Sequence, residues 1–159
     1  MMRGADQGFS LVEVLVAMTL SAVVLMGGVT AVQMSGRFAQ QGRLAAKALA
    51  LAQSRVEAKR SVRWEALLLD DLDFDGQIDL VMMDDGQGAD LSAGDGIYSA
   101  RWERDGVTLI WNVAPDRVGP LATAGFVTIR VAASYESLEG TRTVKVGTVR
   151  ANPAFAGSR

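Results

Sequence analysis

The chain contains no cysteine and no histidine. Without cysteine there is neither a disulfide framework nor a thiolate metal site, although a cell-surface location would permit disulfides. Without histidine the commonest general base and the commonest transition-metal ligand are both missing, so the chain reads as a non-enzyme. Proline is scarce as well: three are present and none precedes Pro115, which leaves everything before it free to form long helices. No polycationic tail occurs. With 16 basic and 18 acidic residues and a net charge of -2, the total gives no electrostatic footprint for nucleic acid or for an acidic membrane.

What is present is one long apolar run, GFSLVEVLVAMTLSAVVLMGGVTAV, from Gly8 to Val32. Between Val14 and Val32 no residue is charged, and at a rise of about 1.5 Å per residue this length crosses the hydrocarbon of a bilayer, about 30 Å thick. A membrane helix is therefore expected over residues 9–32, after a polar leader over residues 1–8. Glu13 interrupts the apolar run near its start. A carboxylate inside the hydrocarbon is disfavoured by up to about 3 kcal/mol and needs a cationic partner; at headgroup depth it would cost little. Position alone leaves both readings open. An ordinary secretory signal ends in a small-residue cleavage site after its apolar core, whereas here the polar segment MMRGADQG comes first and no such site follows.

Gly8, then Phe9, then SLVEVLVA with Glu13 at the fifth place after the glycine resembles the class III signal of type IV pilins and type II secretion pseudopilins. The resemblance covers about 25 residues. It implies that a prepilin peptidase cuts after Gly8 and N-methylates the new first residue, Phe9. It also implies that Glu13 meets the N-terminal ammonium of a neighbouring subunit, the cation that an intramembrane carboxylate requires. Breaking such a pair in low dielectric is costly, because it leaves a buried charge uncompensated. The implied partners are other major and minor pilins, the prepilin peptidase, an inner-membrane assembly platform and a tip adhesin. The implied location is a single pass through the inner membrane, followed by a cell-surface pilus or a periplasmic pseudopilus. Pilins often carry a proline that kinks the membrane half of the helix; this chain has none there, and Gly27 with Gly28 is the candidate substitute.

From Gln33 to about Leu69 the pattern is helical. Leu44, Ala48, Leu51 and Arg55 form one row, and Ala45, Leu49, Ala52 and Val56 form the next. Gly27, Gly28, Gly36 and Gly42 each weaken the helix by about 1 kcal/mol relative to alanine and mark places where it could bend. Residues 97–150 read as antiparallel strands. Ile97–Arg104 and Val107–Val113 flank Asp105-Gly106, a type I′ hairpin signal. Phe126–Tyr135 and Thr141–Arg150 alternate apolar with polar residues. Such a sheet has one apolar face and needs a cover, which the amphipathic helix supplies. The expected fold is α+β: a long N-terminal helix, half membrane and half amphipathic, on a four-stranded antiparallel sheet, in a pilin-like ladle. Trp64, Trp102 and Trp111 are assigned to the core or half-buried sheet rather than to a binding patch. Arg101, Arg104, Arg117, Arg130, Arg142 and Arg150 are assigned to the solvated face, and residues 151–159 to a frayed tail.

Between helix and sheet, residues 70–96 turn abruptly to Asp and Gly, with nine aspartates from Asp70 to Ala100. Asp71, Asp73, Asp75, Gly76, Gln77 and Asp79 occupy places one, three, five, six, seven and nine of a calcium loop of EF-hand type, with Ile78 at the apolar eighth. Alternate residues of such a loop aim oxygens inward, and the glycine takes the backbone conformation the turn demands. The twelfth place holds Met82 instead of glutamate, so a helix-loop-helix site is not expected, and Asp84 or Asp85 could close the shell. Asp84, Asp85, Gly86, Asp90, Gly94, Asp95 and Gly96 form a second group resembling a structural loop motif of secreted bacterial surface domains. The calcium candidates are thus Asp71, Asp73, Asp75, Gln77 and Asp79, with Asp84, Asp85, Asp90 and Asp95 in addition; the alternative is plain turn chemistry without an ion. The expected role is a structural minor subunit of a type IV pilus, because the head lacks the cysteine-bounded loop common in major pilins. A type II secretion pseudopilin is the alternative. From a different class, a membrane-anchored calcium-dependent adhesin that never polymerises also remains open.

Overall fold

The computed structural model describes residues 10–155. The chain divides into two compact units, one ending at Gly42 and one beginning at Arg43, and helix α1 (Leu11–Ser61) belongs to both.

In the first unit every residue from Leu11 to Gln40 is exposed. This is the apolar stretch, and it is the one helix among the described residues long and apolar enough to cross a membrane. Its few hydroxyls satisfy themselves within the helix. Thr19 donates to the carbonyls of Leu15 and Val16, Ser21 to that of Ala17, and Thr30 to those of Met26 and Gly27. Such back-bonding removes the need for water at these side chains, as a hydrocarbon surrounding demands. Gly27, Gly28, Gly36 and Gly42 are all helical, and a Cβ at any of them would meet nothing within 4 Å.

The second unit is built on a four-stranded antiparallel meander in the order β3 (Tyr98–Arg104), β4 (Val107–Pro115), β5 (Phe126–Ser137), β6 (Gly140–Ala151). The β3–β4 turn is the Asp105-Gly106 pair with φ of 52° and 77°, the doubly left-handed geometry that matches strand twist. Val107, Leu109, Trp111 and Val113 alternate inward on β4, and Val127, Ile129, Val131, Ala133 and Tyr135 do so on β5. Each large side chain fully buried here contributes about 1.5–3 kcal/mol. The C-terminal half of α1 covers this face through Ala48, Ala52 and Val56. Trp64 and Trp111 are buried and Trp102 is half-buried, as their assignment to the core and sheet requires.

Three boundaries differ from expectation. The helix stops at Ser61 rather than near Leu69, and a 3-10 turn, Trp64–Ala66, follows. The cause lies ninety residues away: the Arg150 guanidinium donates to the carbonyls of Lys59 and Val62 and sits 5.8 Å from the Trp64 ring. It thereby satisfies the acceptors a helix leaves open at its C-terminus. Arg150 accordingly is a cap and not part of the solvated face. Asp70 does not open a loop; it lies in β1 (Leu69–Asp70), which pairs with β2 (Leu80–Val81). The C-terminal segment is anchored at least to Asn152, which is buried and donates to the carbonyls of Ala122 and Ala124.

Candidate functional site

Gly8 and Phe9, the expected cleavage and methylation positions, lie outside the described residues. Glu13 lies in the first turn of α1 and is exposed. A carboxylate there complements the positive end of the helix dipole. Among the described residues it has no hydrogen-bond or ion-pair partner, and its neighbours along the helix are apolar. From Val14 to Gly36 no charge accompanies it.

The aspartate-rich segment folds as two separate groups. In the first, carboxylate oxygens of Asp71, Asp73 and Asp79 come within 4.8 Å of one another. Asp71 accepts the N–H of Phe74 at 2.6 Å and of Gly76 at 2.8 Å, and Asp79 accepts that of Leu72 at 2.7 Å. Gly76 has φ of 90°, the backbone state assigned to it from the loop pattern. These bonds wind the chain so that three of the five expected ligands converge. Asp75 is not among them: its oxygens accept the backbone N–H and side-chain amide of Gln77. Three hard oxygen donors so close together suit a hard cation, since each carboxylate keeps lone pairs beyond those bound by N–H groups.

The second group gathers Asp84, Asp90 and Asp95 and leaves Asp85 outside. Asp84 accepts three successive N–H groups, of Gly94, Asp95 and Gly96, and Asp90, 6% exposed, accepts that of Gly86. Gly86 has φ of 69°, and a Cβ there would lie 2.8 Å from the Ala93 nitrogen, so no other residue fits. The paired bridge Met83–Ser99 ties this loop to β3. The motif is thus a backbone staple centred on Asp84, which leads directly into the strand beginning at Tyr98.

A third cluster is missed by sequence reasoning. Arg55 and Lys59, one helical turn apart on α1, converge on Asp70 at 3.0 and 2.8 Å with side chains 5% and 1% exposed. Trp111 donates its indole N–H to Asp70 Oδ2 at 3.0 Å, the oxygen that Lys59 also pairs with. Lys59 also donates to the carbonyls of Leu67 and Leu69. The Arg55 guanidinium carbon stands 5.1 Å from the Trp111 ring and 5.7 Å from the Trp102 ring. Burial pulls the Lys59 ammonium below the ordinary lysine value, outweighing the opposing pull of the Asp70 carboxylate, and Arg55 adds to the lowering. The signal was in the sequence: two cations, Arg55 and Lys59, sit on the same helical face as Ala48, Ala52 and Val56. This cluster locks helix to sheet.

The family described as the prokaryotic N-terminal methylation motif matches residues 3–29. No curated protein and no solved structure matches the chain. The matched segment is consistent with the class III signal of type IV pilin-like proteins and points to a structural subunit, and with the apolar helix it fits a membrane-anchored precursor.

Proposed function

We propose that this chain, which carries the N-terminal methylation motif, is a minor structural subunit of a type IV pilus. In this reading a prepilin peptidase cuts after Gly8 and methylates Phe9, and the exposed apolar helix then packs beside those of other pilins in the filament, in the tip or priming complex. The observation that carries the reading is Glu13: a lone carboxylate on an exposed apolar helix with no cation near it among the described residues. The N-terminal ammonium of a neighbouring subunit would supply that charge, and pairing in low dielectric would fix the axial register of one helix against the next. Gly27, Gly28 and Gly36 support the same reading. Among the described residues nothing packs against them, and small residues at such positions let a neighbouring helix approach closely.

Calcium is proposed as a stabiliser of the head. Asp71, Asp73 and Asp79 would hold it, and Asp84, Asp90 and Asp95 form a second candidate group. A bound ion would neutralise clustered like charges and fix the loop between β1 and β2.

Replacing Glu13 with alanine tests the assembly reading. The processed protein should accumulate in the membrane while its amount in sheared filaments falls by at least about tenfold, the equivalent of 1.4 kcal/mol of lost pairing. Normal incorporation of Glu13→Ala would sink the pairing, and normal surface function without any incorporation would favour a non-polymerising adhesin. Loss of type II secretion instead of pili in a deletion strain would identify a pseudopilin.

A further inference from the structure

Strand β6 ends the sheet, and among the described residues no strand pairs with its outer edge. A free edge of 12 residues presents a row of N–H and C=O groups that another extended chain can complete. Edges of this length are ordinarily guarded by proline, by bulges or by charge. Here the strand has no proline and no carboxylate, but three cations, Arg142, Lys145 and Arg150. Arg142 is paired with Glu139 and Arg150 caps α1, which leaves Lys145, among the described residues, as the strand's unpaired cation on the solvent side; a second β6 has no carboxylate to offer it, so the strand favours an acidic partner over its own copy.

The solvent side of the sheet beside that edge has matching chemistry. A groove of about 460 Å³ is floored by Ile110 and Ala132 and flanked by Arg130 and Lys145. Register places Arg130 opposite Gly147, whose missing side chain leaves the groove open. Elsewhere on the sheet the cations have acidic neighbours: Arg101 lies 3.8 Å from Glu103, Arg104 lies 3.9 Å from Asp105, and Arg142 pairs with Glu139. Arg130 and Lys145 have no ion pair among the described residues. Further along the same face Phe126 and Val149 are 45% and 62% exposed, and β5–β6 register brings them to neighbouring rows. Unpaired cations beside an exposed aromatic and an aliphatic residue match the composition of interface anchors.

We propose that the β6 edge and this groove receive an extended, carboxylate-bearing strand of a different subunit, added alongside β6 with its acidic side chains over Arg130 and Lys145. This rests on the filament reading and supplies the head-to-head contact it lacks. The test is photo-crosslinking in cells that assemble the filament, with p-benzoylphenylalanine at Val149 and, as control, at the exposed Leu91. Val149 should give an adduct with a co-assembled subunit whose linked peptide is acidic. That adduct should fall roughly tenfold in the Arg130→Glu, Lys145→Glu double variant and persist in Lys145→Arg, with processed protein unchanged in amount. An adduct to a second β6, one indifferent to charge reversal, or a yield at Val149 no greater than at Leu91 overturns the proposal. Sheared filaments from the same cells separate the two readings. Chain present without the Val149 adduct overturns the interface alone, whereas chain absent overturns the filament reading and the interface with it.

Discussion

Removing the Asp70 carboxylate should come close to unfolding the head. Asp70 is the only carboxylate among the described residues that pairs with Arg55 and Lys59, and it also accepts the Trp111 indole N–H. Asp70→Ala would leave two buried cations without a counter-charge, a loss of about 3–5 kcal/mol. Domain stabilities of roughly 5–15 kcal/mol make that a large fraction of the whole. With a urea dependence of about 1–3 kcal/mol per molar, the midpoint should move down by 1 M or more. The assay is urea unfolding of the mature protein in detergent micelles, followed by tryptophan fluorescence, since Trp111 lies against the altered site. Asp70→Asn distinguishes the causes: it keeps the volume and the acceptor for Trp111 but not the charge, so it should lose nearly as much as alanine. A loss below about 1 kcal/mol in both variants, the level of an exposed ion pair, would refute the claim that this cluster locks helix to sheet. So would full recovery in asparagine, which would reduce Asp70 to a hydrogen-bond acceptor.

The pH dependence of the same cluster has a definite sign. Because the folded state holds Lys59 below its ordinary value, the unfolded chain binds a proton that the folded chain lacks between the folded value and about 10.4; stability should therefore rise with pH through that window relative to Lys59→Met, and a flat or falling difference contradicts it. For the loop, calorimetry of the mature protein should show calcium binding that Asp73→Ala abolishes and Asp75→Ala weakens far less, as their different surroundings require. No heat at millimolar calcium, the weak end for extracellular modules, would leave the loop as turn chemistry alone.

Much of this arrangement is legible because its signals are local. Period-2 alternation fixes Val107 to Val113 and Val127 to Tyr135 on one face, and Asp105-Gly106 can close only a narrow hairpin. What is not legible depends on contacts far apart in sequence. Helix-forming residues continue past Ser61, and the stop is imposed by Arg150 from the last strand, a bond no window of neighbouring residues contains. Asp70 adjoins eight further aspartates and so reads as one more loop carboxylate; only the fold places it under Arg55 and Lys59. The metal candidates divide for the same reason. Spacing puts Asp75 among alternate inward positions, but its oxygens find Gln77 next door, while Asp71, Asp73 and Asp79 are drawn together by backbone N–H groups. Asp84 joins Asp90 and Asp95 in the second group while also accepting three backbone amides, a double role that spacing does not show.

The central claim concerns residues at the very start of the chain, and it has a direct test. Intact-mass and N-terminal peptide mass spectrometry of the protein purified from membranes of cells with active prepilin peptidase should find a mature chain that begins at Phe9 and carries one methyl group on its amine. A chain that retains Met1 to Gly8 under those conditions, or one cut elsewhere, would contradict the assignment.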